Sequence, residues 1–397
     1  MKKILILLAL LTVNLTAQDD VQRVLDAVSK AKPTPHETSI SRVEYDKKIH
    51  EIGKSLVNSI HHYPSVRDFV LEATGSLYSQ FTLSPIDDDL FHGLMGADVY
   101  VVRSPRGAPI GILKIYSHDF RQFAEEVWAF SHINKLRCVT LRPPELYGAG
   151  ATTIDGHKVL MTFQEYAPGE SLDTMIRTYL DTHKGFRKLC QAYFLMGKAL
   201  AELHQSKVGV NAPVHPIIED TAQHYFTSGI NHLKNNPTYN VETKKLSEKF
   251  QGLWSKIQKT PQKHRYTHFD VHGGNYKVNL VDLQVWILDL EPAGYSIASN
   301  GEPIGVSALD YVQTIEYLKS YKIQGLEKKD YKSIRNAFKR GYQTKMEKPS
   351  RHERDFYELV DALIYLDFYH SRVDSFSEKN RKLLKAIVDD RVNRIMK

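Results

Sequence analysis

The chain has 397 residues, of which 42% are hydrophobic and 25% charged, and its formal net charge at pH 7 is +7. These values are ordinary for a globular protein and allow two lobes around a cleft or one large domain. The mild basic excess does not by itself imply nucleic acid, and no nucleic-acid partner is predicted. Two cysteines, Cys138 and Cys190, are too few for a disulfide scaffold. One bridge or two separate thiols would fit, and separate thiols are favoured.

The first residues have the pattern of a secretory signal peptide. Met1-Lys2-Lys3 is basic, Ile4–Leu11 is apolar without interruption, and Leu15-Thr16-Ala17 ends on a small residue. The apolar run is too short to cross a membrane and lacks the polar face of a buried N-terminal helix, which is the alternative. We therefore expect a leader over residues 1–17, a mature chain without a transmembrane segment, and a secreted or periplasmic location.

Residues 18–90 are interpreted as an N-terminal helical extension or linker. The polar stretch 18–45 contains Lys30-Ala31-Lys32-Pro33-Thr34-Pro35, which indicates a short helix followed by an extended segment. Between Glu44 and Gly75, apolar residues at helical spacing predict one or two helices.

Residues 91–166 change to a strand-rich pattern and predict a small lobe. Asp98–Arg103 and Ile110–Tyr116 flank a turn rich in Pro and Gly, which is typical of a β-hairpin. One apolar face predicts a helix over Phe120–Leu136. Further strands are expected at Glu145–Tyr147 and Lys158–Phe163.

Residues 167–397 predict a large helical lobe. Apolar periodicity indicates helices over Leu172–His183, Phe186–Gln205, His215–Leu233, Val241–Gln258, Leu309–Tyr321, Tyr331–Met346, Asp355–Arg372 and Ser377–Met396. Two short strands near residues 267–290 interrupt them. The whole is an α+β, bilobal architecture with a ligand cleft expected between the lobes.

The interrupting strands carry the chemistry. Asp270 is followed five residues later by Asn275 and fourteen residues after that by Asp289, all beside short apolar runs. Phosphoryl transfer from a nucleotide needs one carboxylate that takes the acceptor's proton, and an amide oxygen and a second carboxylate that hold magnesium. The spacing therefore predicts Asp270 as catalytic base and Asn275 and Asp289 as Mg²⁺ ligands.

Lys114 lies inside an apolar strand, where an ammonium group is costly unless it is paired. Nucleotide phosphates and a helix carboxylate would be its partners in a kinase; otherwise its stem lies along the sheet edge with the charge in water. Glu126 is the better carboxylate, because Phe130 and Ile133 share its face of the predicted helix. Glu125 is expected to be a solvated surface charge.

Three more candidates for nucleotide binding come from the loops. Gly96, with Gly93, is placed in a loop covering the phosphates, although an ordinary turn would look the same. Backbone groups around Glu165 and Ala167 would read the adenine edge, unless this segment is a plain connection between a strand and a helix. His268 is expected to hold the loop by bonding to backbone.

These segments together resemble the aminoglycoside phosphotransferase and choline/ethanolamine kinase family, a branch of the protein-kinase-like fold. The resemblance covers roughly residues 91–317. His268–Asn275 is similar to the family's His-Gly-Asp-x-x-x-x-Asn pattern, with Phe269 in place of the usual small or basic residue. Ile287–Tyr295 looks like its Ile-Asp-Phe-Glu-x-Ala-Gly-Tyr segment, and Leu200–His204 resembles its Leu-Ala-x-Leu-His helix.

The resemblance implies transfer of the ATP γ-phosphate to a hydroxyl of an amino alcohol, aminoglycoside or sugar-like molecule. A secreted protein kinase acting on a host or secretory protein, or a kinase-fold binding or regulatory protein without transfer activity, are the alternatives. A cationic acceptor would need carboxylates or aromatic faces near Asp270. Glu291, Tyr295, Asp310 and Glu316 are the candidates to supply them, although Asp310 and Glu316 are also what an ordinary surface helix would carry.

Overall fold

The computed structural model describes residues 18–33, 41–75, 80–86, 97–235, 242–372 and 377–395. Its small lobe is built on a sheet of five antiparallel strands in the order β1-β2-β3-β6-β5. These strands are β1 Thr82–Pro85, β2 Ala97–Arg103, β3 Pro109–Tyr116, β5 Leu146–Ile154 and β6 His157–Glu165. The predicted hairpin is confirmed, with Val99 paired to Lys114.

Two helices cover the two faces of this sheet, because successive side chains of a strand point to opposite sides. Helix α3 (Val66–Ala73) packs on one face, against a cluster that includes Leu113 and Ile115. Helix α4 (Phe120–Ile133) lies on the other side, in the core that contains Tyr116. Lys114 therefore leaves β3 on the side of α4.

The extension is packed into the small lobe rather than trailing from it. Its first helix, α1, spans residues 18–31, and α2 spans Arg42–Leu56. Apolar residues of both helices share one core with α4: Val24, Val28, Tyr45, Ile49, Phe123, Val127 and Phe130. Tyr63 donates its N–H to the carbonyl of Ala151 at 2.8 Å, which covers the edge strand β5.

The large lobe is helical, and the predicted helices are confirmed with ends shifted by a few residues. They are α5 Leu172–Thr182, α6 Phe186–Ser206, α7 Pro216–Asn235, α8 Thr243–Lys259, α10 Ser307–Ser320, α11 Lys328–Tyr342, α12 Arg351–Arg372 and α13 Glu378–Ile395. A further short helix, α9 Glu291–Gly294, was not predicted. No helix within the described ranges is long and apolar enough to cross a membrane. Cys138 and Cys190 are both free, as favoured from the sequence.

A small second sheet links the segment that connects the two lobes with the two strands that lie between Asn275 and Asp289. Its order is β4-β11-β10-β7, formed by β4 Leu141–Arg142, β7 Glu170–Ser171, β10 Tyr276–Asn279 and β11 Gln284–Ile287. A further pair, β8 Val208–Ala212 and β9 Gln262–Arg265, lies elsewhere in this lobe. In the β10–β11 hairpin Tyr276 pairs with Ile287, so the residues just outside the hairpin, Asn275 and Leu288, are neighbours.

Candidate active site

The predicted catalytic loop lies between β9 and β10 and is tied to the segment after β11. The ring nitrogens of His268 contact the carbonyl oxygens of Asp270 at 2.9 Å and Leu288 at 2.8 Å. Leu288 donates its N–H to the carbonyl of Asn275, also at 2.8 Å. The structural role predicted for His268 is thereby confirmed, and Asp289 is brought to the same place as Asp270 and Asn275.

Helix α10 holds this loop through Asp310. Its buried carboxylate accepts the N–H groups of His268 at 2.7 Å and Phe269 at 2.9 Å. The same carboxylate contacts Nε2 of His204 at 3.0 Å. The expectation that Asp310 contacts an acceptor is wrong, because its carboxylate is fully buried and no acceptor can reach it. Asp310 lies about forty residues after the loop in sequence, so spacing does not reveal that the two are in contact. The only sequence signal for the contact was the Leu200–His204 segment.

Lys114 lies at the bottom of the cleft between two carboxylates. Its Nζ is 2.6 Å from Oε1 of Glu126 on α4 and 2.9 Å from Oδ1 of Asp289. Burial acts to lower the pKa of Lys114, but Asp289 and Glu126 outweigh it and raise that pKa above its ordinary value. Burial acts to raise the pKa of Asp289, and Lys114 outweighs it in the opposite direction. The lysine is therefore a permanent cation at this point of the cleft.

Asn275 is oriented by Asp270. Its amide nitrogen donates to the carbonyl oxygen of Asp270 at 3.1 Å and to Oδ2 of the same residue at 3.2 Å. This assignment turns the amide oxygen of Asn275 away from the carboxylate and leaves it as the atom that can bind a cation. Asp270 itself is about one-third exposed, with Nε2 of His272 at 3.6 Å from its Oδ2.

An oxygen-only pair of this kind fits Mg²⁺, which keeps several waters and needs few protein ligands. Asn275 and Asp289 supply one amide oxygen and one carboxylate on the same wall of the cleft. No cluster of three or more His, Cys, Asp or Glu in metal-binding arrangement occurs in the part of the chain that the structure describes. The donor set thus suits a metal shared with a phosphate-bearing ligand rather than a closed structural site.

Lys114, Asn275 and Asp289 line one cleft of about 610 Å³ between the lobes. Glu165 and Ala167 lie on its wall where the lobes connect. The N–H of Glu165 is already donated to the carbonyl of Glu145 at 2.8 Å, and the Ala167 carbonyl accepts from Nζ of Lys277 at 3.3 Å. Their role toward a nucleotide base stays a prediction. Gly96 and Gly93 lie outside the described residues.

Asp173 is a cleft residue that the sequence did not reveal. It stands in the first turn of α5, and its two oxygens accept from the hydroxyls of Tyr317 at 2.9 Å and Tyr321 at 2.6 Å. A Cβ at Gly273 would lie 2.1 Å from Oδ1 of Asp173, so only glycine allows the two segments to approach. Asp173 therefore supports the turn that carries Asn275 and also faces the cleft.

The structure corrects the expectations for two acidic residues, Glu125 and Glu316, and leaves the one for Glu291 a prediction. Glu125 is fully buried, not a solvated charge, because the extension packs on the side of α4 that the sequence left exposed; Nζ of Lys32 lies 2.9 Å from its Oε2. Glu316 is buried and paired with Lys319 and Arg394, away from any acceptor. Glu291 does line the cleft, but it is paired with Arg121 at 3.0 Å.

Tyr295, the fourth residue expected near the acceptor, contacts the extension instead. Its hydroxyl donates to Asp46 at 2.9 Å, and the guanidinium of Arg42 lies 3.5 Å from its ring centroid. Both partners belong to α2, a segment for which the sequence offered no contacts. The aromatic face is therefore covered by the protein's own arginine.

The arrangement as a whole contains the parts of a protein-kinase-like fold. A strand lysine paired with a helix carboxylate, a loop with Asp and Asn, and a following Asp all meet under a five-stranded sheet. The α+β, bilobal architecture predicted from the sequence is confirmed.

Comparisons with known proteins give similarity in structure only. No protein-family model matches the chain, and no curated protein matches it. The GDP complex of aminoglycoside 2′-phosphotransferase-IIIa is 12% identical, with a TM-score of 0.48 over 82% of this chain and 97% of that one. A glucosamine kinase is 11% identical, with a TM-score of 0.44 over 80% and 95% of the two chains.

A macrolide 2′-phosphotransferase from Brachybacterium faecium is also 11% identical, with a TM-score of 0.43 over 78% of this chain and 92% of that one. Known structures similar to this chain thus include small-molecule phosphotransferases. Because the identities and TM-scores are this low, the chemistry of the cleft is inferred from its own residues.

Proposed function

We propose that this chain is an ATP- and Mg²⁺-dependent phosphotransferase that moves the γ-phosphate to a hydroxyl of a small molecule. The observation that carries the proposal is that Lys114, paired with Glu126 and Asp289, lines one cleft together with Asn275, whose amide is hydrogen-bonded to Asp270. In phosphoryl transfer from a nucleotide, a strand lysine paired with a helix carboxylate, a catalytic-loop Asp and Asn and a metal-binding Asp each have a defined role.

The charges of the cleft explain why a divalent cation is needed. The cleft is lined by three basic and six acidic side chains, so a nucleotide's phosphates would meet net negative charge: Lys114, Arg177 and Lys277 against Asp98, Glu165, Glu170, Asp173, Asp289 and Glu291. Mg²⁺ bound by Asn275 and Asp289 would neutralise phosphate charge and orient the phosphates. Lys114 would contact phosphate oxygens, and Glu126 would hold Lys114 in place.

Asp270 is the proposed base. Its partly exposed carboxylate is within reach of an entering hydroxyl, while Asn275 fixes one of its oxygens. On the acceptor side stands Asp173, a carboxylate with two tyrosine hydroxyls, which suits amines and hydroxyls of an amino alcohol, aminoglycoside or sugar-like molecule.

The test is transfer of label from [γ-³²P]ATP by the full chain to amino alcohols, aminoglycosides, sugars and protein extract. We expect a labelled small molecule in the presence of Mg²⁺, and a loss of about 10²–10⁴-fold in Asp270→Asn. Asp181→Asn, the same change at an exposed site on α5, should leave the rate unchanged.

Other outcomes contradict the proposal in different ways. Label confined to protein and lost in Asp270→Asn would indicate a protein kinase instead. Binding of MgATP without transfer to any acceptor would indicate a kinase-fold binding or regulatory protein.

We propose further that the protein is exported and acts where ATP is present after export, such as inside a host or in a secretory lumen. The support is the basic, apolar and small-residue pattern of residues 1–17. Mass spectrometry of the mature N-terminus and fractionation of the producing cells test this. A retained leader on a cytosolic protein would overturn it.

A further inference from the structure

A buried ion pair joins the N-terminal extension to the helix that carries Glu126. The side chain of Lys32, just after α1, is only 2% exposed, and its Nζ lies 2.9 Å from Oε2 of Glu125. The ammonium also donates to the hydroxyl of Tyr45 at 2.7 Å. That hydroxyl in turn donates to Oε1 of Glu125, so each carboxylate oxygen contacts a polar group of the extension.

Burying such a pair is costly, and it does not stabilise a fold more than apolar residues of similar size would. Two charges without access to water are tolerated only where geometry and hydrogen bonds compensate. The network around Lys32 therefore needs a reason other than stability.

The same lysine reaches the segment that follows Asp289. Its Nζ donates to the carbonyl oxygen of Gly294, in α9, at 2.8 Å. A Cβ at Gly294 would lie 2.4 Å from Oε2 of Glu125, so α9 and α4 are in close contact here. One ammonium thus binds the helix bearing Glu126 and the segment next to Asp289.

The helix α4 and the segment next to α9 each supply a carboxylate that contacts Lys114. Glu126 is the residue after Glu125 and contacts Lys114 from α4, while Asp289 contacts it from the other side. A shift of α4 away from α9 would separate the two carboxylates from the lysine and misplace the phosphates. Small displacements of this kind, about 1 Å, cost around 10²-fold in rate.

We propose that Lys32 is a positioning residue for phosphoryl transfer, which fixes α4 against α9 so that Glu126, Lys114 and Asp289 meet. The extension is then part of the working site rather than an appendage. This inference rests on the proposed phosphotransferase function.

The test compares transfer kinetics of the wild type with those of Lys32→Met/Glu125→Gln, which removes both charges and leaves no unpaired buried ion. We expect kcat to fall about tenfold or more, with the acceptor KM and the unfolding midpoint nearly unchanged. Lys30→Met/Glu51→Gln makes the same changes at exposed positions of α1 and α2 and should behave as wild type.

A purely structural role would give the opposite split, with a lower unfolding midpoint and an unchanged kcat for the folded fraction. That result, or equal kcat in the buried and exposed double variants, would overturn the proposal.

Tyr45→Phe keeps the inference testable if the double variant does not fold. It removes only the hydroxyl between Lys32 and Glu125, and a smaller fall in kcat is expected. An unchanged kcat in folded Tyr45→Phe would contradict the positioning role of Lys32. Absence of transfer by the wild type would instead remove the proposed function.

Discussion

Two active-site residues other than glycine have left-handed backbone: Phe269 with φ +65° and Asp289 with φ +52°. Such a conformation costs a residue with a Cβ about 1–2 kcal/mol. It persists at Phe269 because Asp310 accepts the N–H groups of residues 268 and 269, and because Gln313 donates to the Phe269 carbonyl at 3.0 Å. The surrounding contacts therefore impose the turn that directly precedes Asp270.

This strain gives a prediction at position 269. Phe269→Gly should be more stable than Phe269→Ala by about 1 kcal/mol, because only the alanine variant keeps the strained Cβ. The order should reverse at Lys332, an exposed position inside α11, where alanine is favoured over glycine by about 1 kcal/mol. Urea unfolding of the four variants measures both differences. Alanine more stable than glycine at both positions would contradict the account of the turn.

Glu202 is a residue whose charge has a definite role in holding the structure. Its Oε2 accepts the N–H groups of Val139 at 3.0 Å, Thr140 at 2.6 Å and Leu141 at 3.1 Å. Burial acts to raise the pKa of Glu202, but these hydrogen bonds and Lys345 outweigh it and lower that pKa below 4.5. The carboxylate thus fixes the segment that enters β4.

The pH dependence follows from the direction of that pKa. A lowered folded-state pKa means that the stabilisation is complete above the unfolded-state pKa and is lost as pH falls through the folded value. Glu202→Gln should reduce the free energy of unfolding at pH 7 by about 1.5–3 kcal/mol. The difference should shrink as the pH falls below about 4. Urea unfolding at several pH values measures it, and a difference independent of pH would contradict the role of the charge.

At the scale of elements, helices α6 and α11 approach so closely that a side chain does not fit between them. A Cβ at Gly197, inside α6, would lie 2.2 Å from the carbonyl oxygen of Phe338 on α11. Helix α6 also carries Glu202, which holds the segment entering β4, and His204, which contacts Asp310, so the packing of α6 on α11 bears on both. Glycine is required at position 197 by the packing of α6 on α11 and not by the backbone conformation of the helix.

Substitution by alanine therefore has opposite effects at two helical glycines. Gly197→Ala should destabilise the protein by about 1–3 kcal/mol, because backbone atoms of α11 must move. Gly252→Ala in α8, where nothing lies within 4 Å of the added Cβ, should stabilise it by up to about 1 kcal/mol. Thermal and urea unfolding compare the two variants. A stabilised Gly197→Ala would show that the helices are not in contact there.

The elements that the sequence predicted are those with strong local patterns. The hairpin around Lys114 and the long helices have apolar residues at a regular period, and Asp270, Asn275 and Asp289 follow one another closely. The strands β4, β7, β8 and β9 have two to five residues and pair with distant segments, so no period marks them. Asp310 and Asp173 act through contacts with loops far away in sequence, which spacing alone does not show.

Glu125 and Glu126 show the same limit within one helix. The side of α4 that faces the sheet was recognised from Phe130 and Ile133, and Glu126 was assigned to it correctly. The opposite side is covered by α1 and α2, whose contacts with α4 bridge about eighty residues of sequence between Tyr45 and Glu125. A helix buried on two sides has no solvated face for its charges.

At the scale of the whole molecule, the extension, the small lobe and the large lobe meet around one lysine. Lys114 comes from the sheet, Glu126 from the helix packed by the extension, and Asp289 from the large lobe. The cleft is therefore defined by the relative position of all three parts. The domain limits predicted at residues 90 and 166 stay a prediction, although β1, inside the predicted extension, is hydrogen-bonded to β2.

The most direct test of the account is calorimetric titration of ATP into the full chain, with Mg²⁺ and with EDTA. If Asn275 and Asp289 hold the metal that neutralises the phosphates, Mg²⁺ should tighten nucleotide binding by about tenfold or more, or 1.4 kcal/mol. This gain should disappear in Asp289→Asn and remain in Asp181→Asn. Equal binding with and without Mg²⁺ in the wild type, or an undiminished gain in Asp289→Asn, would contradict it.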